Sequence, residues 1–197
     1  EQLVQRIICS MGGIEGSSIR TGEILKTNAN KYYAAAERVS KCNMYIDDSP
    51  GIKINDIVAK SRKLKSEHGL KLIVIDYLQL ITSSSKNREN RQQEVSEISR
   101  TLKALARELE VPVISLSQLS RSVEQRPNKR PMMSDLRESG AIEQDADIVS
   151  FIYREDYYKD PSEQTENSGL TEIIIAKHRN GATGEVNLAF EKNYSRF

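Results

Sequence analysis

The sequence predicts a three-layer α/β fold, in which a mostly parallel sheet lies between helices and ends in an antiparallel C-terminal hairpin. Two apolar runs, 70–76 and 111–116, have the Leu, Ile and Val content of parallel strands that are covered on both faces. Segments with helical periodicity separate the strand candidates, as crossovers between parallel strands require. Near the end, Val186, Leu188 and Phe190 alternate with other residues, as in an antiparallel strand with one buried face.

The first third of the chain alternates helical segments with turns. Apolar residues at helical spacing predict a helix at the chain start and a second helix over 28–41. The short run 44–46 is a strand candidate, and it stops at 47–51, a cluster of Asp, Ser, Pro and Gly that is typical of a turn. A further helix is expected to start near Ile54.

The rest of the chain contains one long amphipathic helix and several strands. After the polar stretch 82–90, apolar residues recur every three or four positions at Val95, Ile98, Leu102, Leu105, Ala106 and Leu109. The polar, basic stretch 117–140 predicts a long surface segment, and loops of this length are usually functional or disordered. Strand candidates follow at 147–153, 171–176 and 185–190, with a polar insert at 155–168.

Composition places few limits on function. The 197 residues carry both signs of charge interspersed, and the formal net charge is +1. Bulk charge therefore does not indicate a nucleic-acid partner, since such proteins usually show a basic excess or stripe. No apolar run approaches the roughly 18 residues of a membrane span. We expect one domain over 1–197, without a membrane partner and located in the cytoplasm.

Two polar residues follow the two apolar strands. Asp76 ends the first strand and Gln118 follows the second, so both are expected at the carboxyl edge of the sheet, where ligands collect. A carboxylate there suits Mg²⁺, and an amide can contact a phosphate. However, the phosphate-loop pattern G-x-x-x-x-G-K-[ST] does not occur in the chain. From the residues alone, either a nucleotide site or two ordinary strand-end loops is compatible with the pattern.

Longer motifs add a family resemblance. The run that ends in Asp76-Tyr77-Leu78-Gln79-Leu80 resembles the Walker B segment of DnaB-type replicative helicases. Segments 94–121, 135–147 and 177–181 are similar to the next three family blocks, in order and at the family spacing. The resemblance implies a RecA-like motor domain of a homohexameric, ATP-dependent helicase that unwinds forked DNA by moving along a single strand, 5′ to 3′.

The resemblance also implies roles for individual residues. Asp76 would hold Mg²⁺ directly or through water, Gln118 would contact the γ-phosphate of ATP, and Arg6 would contact the nucleotide. Lys177 and Arg179 would reach the neighbouring subunit's nucleotide site as a basic finger pair. His178 lies between them, where many relatives have Gln, and is counted among the implied nucleotide-binding residues. The implied catalytic residues are Asp76, Gln118 and Arg179.

The DNA contact is implied at Arg137, Glu138 and Gly140. A guanidinium binds phosphate as a fork, and glycine lets the backbone approach closely, so such contacts would be indifferent to base sequence and sensitive to salt. The basic residues of the preceding stretch either enlarge this surface or form an ordinary solvated loop; they are Arg121, Arg126, Lys129 and Arg130.

The family pattern is incomplete at the chain start. The sequence begins in the middle of a helical pattern, without the family's phosphate loop, its catalytic glutamate or its primase-contacting N-terminal domain. We therefore expect an N-terminally truncated domain that hydrolyses little ATP alone. Primase, a helicase loader and the bacterial replisome are the implied partners and location. The first rival is a strand-exchange recombinase or clock-type RecA relative, disfavoured by the 137–140 block. The second is a non-catalytic ring or binding module, disfavoured by intact Asp76, Gln118, Lys177 and Arg179.

Overall fold

The computed structural model describes residues 1–22, 24, 28–83, 91–136, 140–158 and 169–197. Within these ranges the helices are α1 (Gln2–Gly12), α2 (Gly16–Thr21), α3 (Ala29–Ser40), α4 (Ile54–His68), α5 (Arg91–Leu109) and α6 (Gly140–Asp145). The strands are β1 (Ile73–Ile75), β2 (Val113–Ser115), β3 (Ile148–Tyr153), β4 (Leu170–His178) and β5 (Gly184–Ala189). β1 and β2 form a parallel pair, and β3, β4 and β5 form an antiparallel sheet in that order.

The chain divides into two compact units. Unit 1 comprises Glu1–Asp47, Ile152–Ile173 and Val186–Phe197, and unit 2 comprises Asp48–Phe151 and Ile174–Glu185. The expectation of one domain over 1–197 stays a prediction.

Unit 1 is built around the contact of α1 with α3. Ile8 on α1 and Ala35 and Val39 on α3 are buried together, because each helix presents its apolar residues at three- and four-residue spacing. α1 ends at Gly13, whose φ of 59° is the left-handed conformation that glycine adopts without a steric penalty. The predicted helices at the chain start and over 28–41 are thereby confirmed.

Unit 2 contains β1 and β2, with α4 and α5 packed against them. The predicted long helix is confirmed as α5, and five of its six periodic apolar residues are buried, while Ala106 is half-buried; Ile98 has no exposed surface. Burying one such side chain stabilises the fold by about 1.5–3 kcal/mol. Two clusters result, one around Ile98 that includes Ile75 of β1, and one around Leu105 that includes Ile73.

The described residues cover one face of β1 and β2 with α4 and α5, and the cover expected on the other face stays a prediction. Ile73 and Ile75 contact the helices, whereas the alternate side chains point to the other face. Those side chains are 45–60% exposed: Leu72, Val74, Ile114 and Leu116.

One expectation needs correction. The strand candidate 44–46 was wrong: the segment is irregular, and its side chains are 43–53% exposed, so no buried face stabilises a strand there. The described part of the stretch 117–140 contains two 3₁₀ turns, Arg121–Gln125 and Met133–Leu136, and a buried Asp135.

Candidate functional site

The parallel pairing of β1 and β2 places Asp76 and Gln118 after neighbouring strand ends. Ile75 lies opposite Ser115, the Leu116 amide donates to the Ile75 carbonyl at 2.9 Å, and Asp76 follows directly. Both predicted residues are exposed at this edge, and the Asp76–Tyr77 peptide bond is cis. The structure therefore brings these two residues to the edge where the sequence predicted them.

Gln79 joins the two strand ends. Its amide Nε2 donates to Ser117 Oγ at 3.0 Å and to the Gln118 carbonyl at 3.4 Å, and its Oε1 accepts from the Gln118 amide at 3.2 Å. Its own carbonyl accepts from Arg91 at the start of α5 at 2.6 Å. The sequence pattern did not predict this role for Gln79; its only local signal is one amide between two leucines, four residues after the end of β1.

Asp76 is the described residue at this edge that suits a magnesium ion. Among the residues that the structure describes, no three His, Cys, Asp or Glu side chains converge as a protein-only metal cage requires. One carboxylate is nevertheless enough, because Mg²⁺ usually keeps several waters and takes other oxygens from a substrate phosphate. The single exposed carboxylate fits a magnesium–nucleotide complex better than a permanent structural ion.

The predicted finger residues are Lys177, near the end of β4, and Arg179, directly after it, and both contact the C-terminal end of α6. They are two positions apart, so they point to the same side of the strand. Lys177 Nζ donates to the carbonyl oxygens of Glu143 and Gln144, and Arg179 Nη2 donates to the Gln144 oxygen at 3.1 Å. These carbonyls belong to a helix end, where they have no partner within the helix and carry partial negative charge.

His178 points away from the finger residues into its own turn. Its Nδ1 lies 3.3 Å from the Ala182 carbonyl oxygen. A Cβ on Gly181 would approach the imidazole ring to 2.4 Å, so a larger residue there would displace the ring from this position. The structure therefore does not bring His178 together with Lys177 and Arg179.

Asp147 is the main acidic partner of this end of β4. Its Oδ1 lies 3.2 Å from Arg179 Nη1, and its Oδ2 accepts a hydrogen bond from Lys103 of α5. That hydrogen bond lowers the pKa of Asp147, and although partial desolvation opposes it, attraction to Lys103, Arg179 and Arg107 acts in the same direction. The carboxylate is therefore ionised at neutral pH.

The predicted DNA loop is described only in part. Arg137 and Glu138 lie outside the described residues, and Gly140 is exposed at the first position of α6. Upstream, Arg126 binds the buried Asp135 and Arg130 binds Glu185. The guanidinium of Arg126 is thus occupied in holding the segment 120–136 together, rather than lying on a solvated surface.

Arg6 lies in unit 1. It is exposed on α1, beside an open cavity of about 460 Å³ that Ile7, Ser10, Met11 and Ser195 also line. Its implied contact with a nucleotide stays a prediction. No described helix has both the length and the apolar character needed to cross a membrane.

Relatives of known identity are similar over the whole chain. A replicative DNA helicase, DnaB, of Geobacillus stearothermophilus is 60% identical over 197 residues, which are 100% of this chain and 43% of that protein. A replicative DNA helicase, DnaC, of Bacillus subtilis (strain 168) is 58% identical over 197 residues, again 100% of this chain and 43% of the relative. The chain thus spans less than half the length of these relatives.

Solved structures are similar in fold. A DnaB-like replicative helicase, studied with its interactions with primase, superposes with a TM-score of 0.93 at 44% identity, and the match covers 100% of this chain and 47% of that one. A second solved structure, of an ATPase domain, gives a TM-score of 0.89 at 46% identity, and the match covers 98% of this chain and 68% of that one. The predicted RecA-like α/β fold is confirmed.

The family model for the DnaB-like helicase C terminal domain matches residues 1–197. Because that match extends over the entire chain and agrees with both the relatives and the fold, the chain belongs to the family of DnaB-like helicase C-terminal domains.

Proposed function

We propose that the chain is the motor domain of an ATP-dependent replicative DNA helicase that works as a homohexameric ring at the replication fork. The observation that carries the proposal is the strand-end site, in which Asp76 and Gln118 follow paired parallel strands and Gln79 joins the two ends. Family membership supports the same function. Cytoplasmic location, a primase and a helicase loader belong to this proposal.

The substrate proposed for this edge is ATP with Mg²⁺. Asp76 would hold the ion, which neutralises charge on the phosphate oxygens when bound. Gln118 would contact the terminal phosphate, and Gln79 would fix the loop that carries it. The nucleotide contacts that the family resemblance implies for Arg6 and His178 stay predictions, and the strand-end proposal does not depend on them. The chain contains no phosphate loop, so we propose that these 197 residues alone hydrolyse little ATP.

The finger residues are proposed to act on the nucleotide of the neighbouring subunit. A guanidinium is always charged and presents N–H groups in a planar fork, which suits the charge that spreads over phosphoryl oxygens during transfer. Arg179 is 43% exposed in its side chain, so part of it is accessible from outside the unit. A site completed by a second subunit makes hydrolysis depend on assembly.

DNA is proposed to bind at Arg137, Glu138 and Gly140. Contacts from a guanidinium and a backbone amide reach phosphate rather than bases, so binding should be independent of sequence and steeply salt-dependent. Gly140 begins α6, and the other end of α6 contacts both finger residues. One short helix, α6, therefore begins at Gly140 of the proposed DNA contact and accepts hydrogen bonds from both finger residues at its other end.

The test is unwinding of a forked duplex by the protein expressed from its complete gene, with ATP and Mg²⁺. We expect unwinding by the unchanged protein, and loss of it in Arg179→Ala while hexamers and nucleotide binding persist. Arg62→Ala is the matched control, because Arg62 is likewise an exposed arginine in an ion pair, with Glu108, away from the strand-end site. Strand exchange without unwinding, or DNA binding without ATP turnover, would contradict the helicase proposal.

A further inference from the structure

Asp147 holds Arg179 at two points. It directly precedes β3, and Arg179 directly follows β4, so the neighbouring antiparallel strands bring the two residues side by side. The Arg179 amide donates to the Asp147 carbonyl at 2.8 Å, and the guanidinium Nη1 lies 3.2 Å from Asp147 Oδ1. The same residue therefore fixes both the backbone and the charged end of Arg179.

Asp147 is itself held from α5. Its second oxygen, Oδ2, accepts from Lys103 Nζ, and the Lys103 side chain is only 19% exposed. A lysine with this little exposure has lost most of its freedom to move in solvent. The two carboxylate oxygens of Asp147 therefore contact two different cations, Lys103 on α5 and Arg179 directly after β4.

The guanidinium of Arg179 is also held at its other terminal nitrogen. Nη2 donates to the Gln144 carbonyl at 3.1 Å, while Nη1 faces Asp147. Because the guanidinium is a rigid plane, acceptors at both terminal nitrogens define its direction as well as its position. Removing the carboxylate would leave one acceptor, about which the plane can turn.

We propose that Asp147 is the positioning residue of the Arg179 finger, and that Lys103 in turn orients Asp147. The inference rests on the proposed role of Arg179 at a neighbouring nucleotide. Asp147 does not touch that nucleotide; it acts by presenting the guanidinium in one direction. Its side chain is 52% exposed, and ion pairs with this exposure add little to folding stability, so its main effect is on catalysis.

The test compares steady-state ATP hydrolysis by hexamers of the protein expressed from its complete gene. Asp147→Ala is expected to lower kcat about tenfold or more with little change in KM, because a misplacement of about 1 Å can cost a hundredfold in rate. Asp147→Glu, which keeps the charge, should recover part of the loss. Glu108→Ala, which removes a similarly exposed acid from an arginine, should keep the unchanged protein's kcat.

A double variant separates positioning from general damage. If Asp147 acts through Arg179, Asp147→Ala combined with Arg179→Ala is no slower than Arg179→Ala alone. A double variant whose loss of kcat equals the product of the two single losses would overturn the inference. An unchanged kcat in Asp147→Ala would also overturn it. If Asp147→Ala does not fold, Lys103→Met gives the second readout: a lower kcat that again disappears in the Arg179→Ala background supports the inference, and an unchanged kcat overturns it.

The same data separate this inference from the proposed function. If Arg179→Ala lowers kcat but Asp147→Ala does not, only the positioning role is wrong. If Arg179→Ala itself leaves kcat unchanged, the finger role fails, and the positioning role fails with it.

Discussion

Replacing Asp135 by alanine should destabilise the segment that leads into the proposed DNA loop. Asp135 is 3% exposed, and its Oδ2 accepts from Arg126 Nη2 at 2.5 Å and from the Met132 amide at 2.8 Å. Removing one partner of a buried ion pair costs about 3–5 kcal/mol. Because the Arg126 side chain is 29% exposed and regains some water, we expect a loss of about 2–4 kcal/mol.

The effect should be local as well as global. The Ser120 amide donates to the Asp135 carbonyl, and the Val123 amide donates to Ser120. We expect faster hydrogen exchange at both amides in Asp135→Ala, together with a lower denaturation midpoint and weaker DNA binding. Glu108→Ala, at an exposed ion pair, should change none of these. A stability loss below about 1 kcal/mol, with unchanged exchange at Ser120 and Val123, would refute the assigned role of Asp135.

Three further variants, at Gln79, Asp147 and Arg137, have expected outcomes. Gln79→Ala removes the hydrogen bonds that tie Gln118 to the first strand end, so kcat for ATP should fall about tenfold while the denaturation midpoint changes little; an unchanged kcat would exclude the link. Because the pKa of Asp147 is lowered on folding, its contribution to stability is present above its ordinary pKa of about 4 and is lost as pH falls through the lower folded value. The stability difference between the unchanged protein and Asp147→Asn, below about 1 kcal/mol, should therefore be constant from neutral pH to about pH 5 and shrink below pH 4. A difference that grows on acidification would show that folding raises the pKa of Asp147 rather than lowering it. Arg137→Ala should lower the slope of log K for DNA against log salt by about 1, and an unchanged slope would place the phosphate contact elsewhere.

The long helices and the edge of the sheet were predictable because their determinants are local. The three- and four-residue spacing along 95–109 is visible in the sequence, and it is the buried face of α5. Ligands collect at the carboxyl ends of parallel strands. This rule predicted that Asp76 and Gln118 lie at the same edge of the sheet, before the strand pairing was known.

Other features depend on contacts between distant residues. Lys103 and Asp147 are 44 positions apart, and Gln79 and Gln118 are 39 apart, so no local pattern marks either pair. The strand expected at 44–46 failed for the same reason: apolar residues of β type form a strand only where a face is buried, and these side chains are about half exposed. Burial of Asp135 was equally invisible, because its partner Arg126 belongs to a basic stretch that the sequence left open as either part of the DNA surface or a solvated loop.

Each nucleotide site is proposed to combine Asp76 of one subunit with Arg179 of the next. This arrangement is tested most directly by mixing two strongly impaired variants, Asp76→Ala and Arg179→Ala, and allowing subunits to exchange. An Arg179→Ala subunit has an intact Asp76, and an adjacent Asp76→Ala subunit supplies an intact finger. Random 1:1 mixing should therefore restore about a quarter of the unchanged protein's ATP hydrolysis if sites form between subunits of a closed ring. Mixed rings that stay inactive would show that Asp76 and Arg179 must come from the same subunit, which would contradict the account.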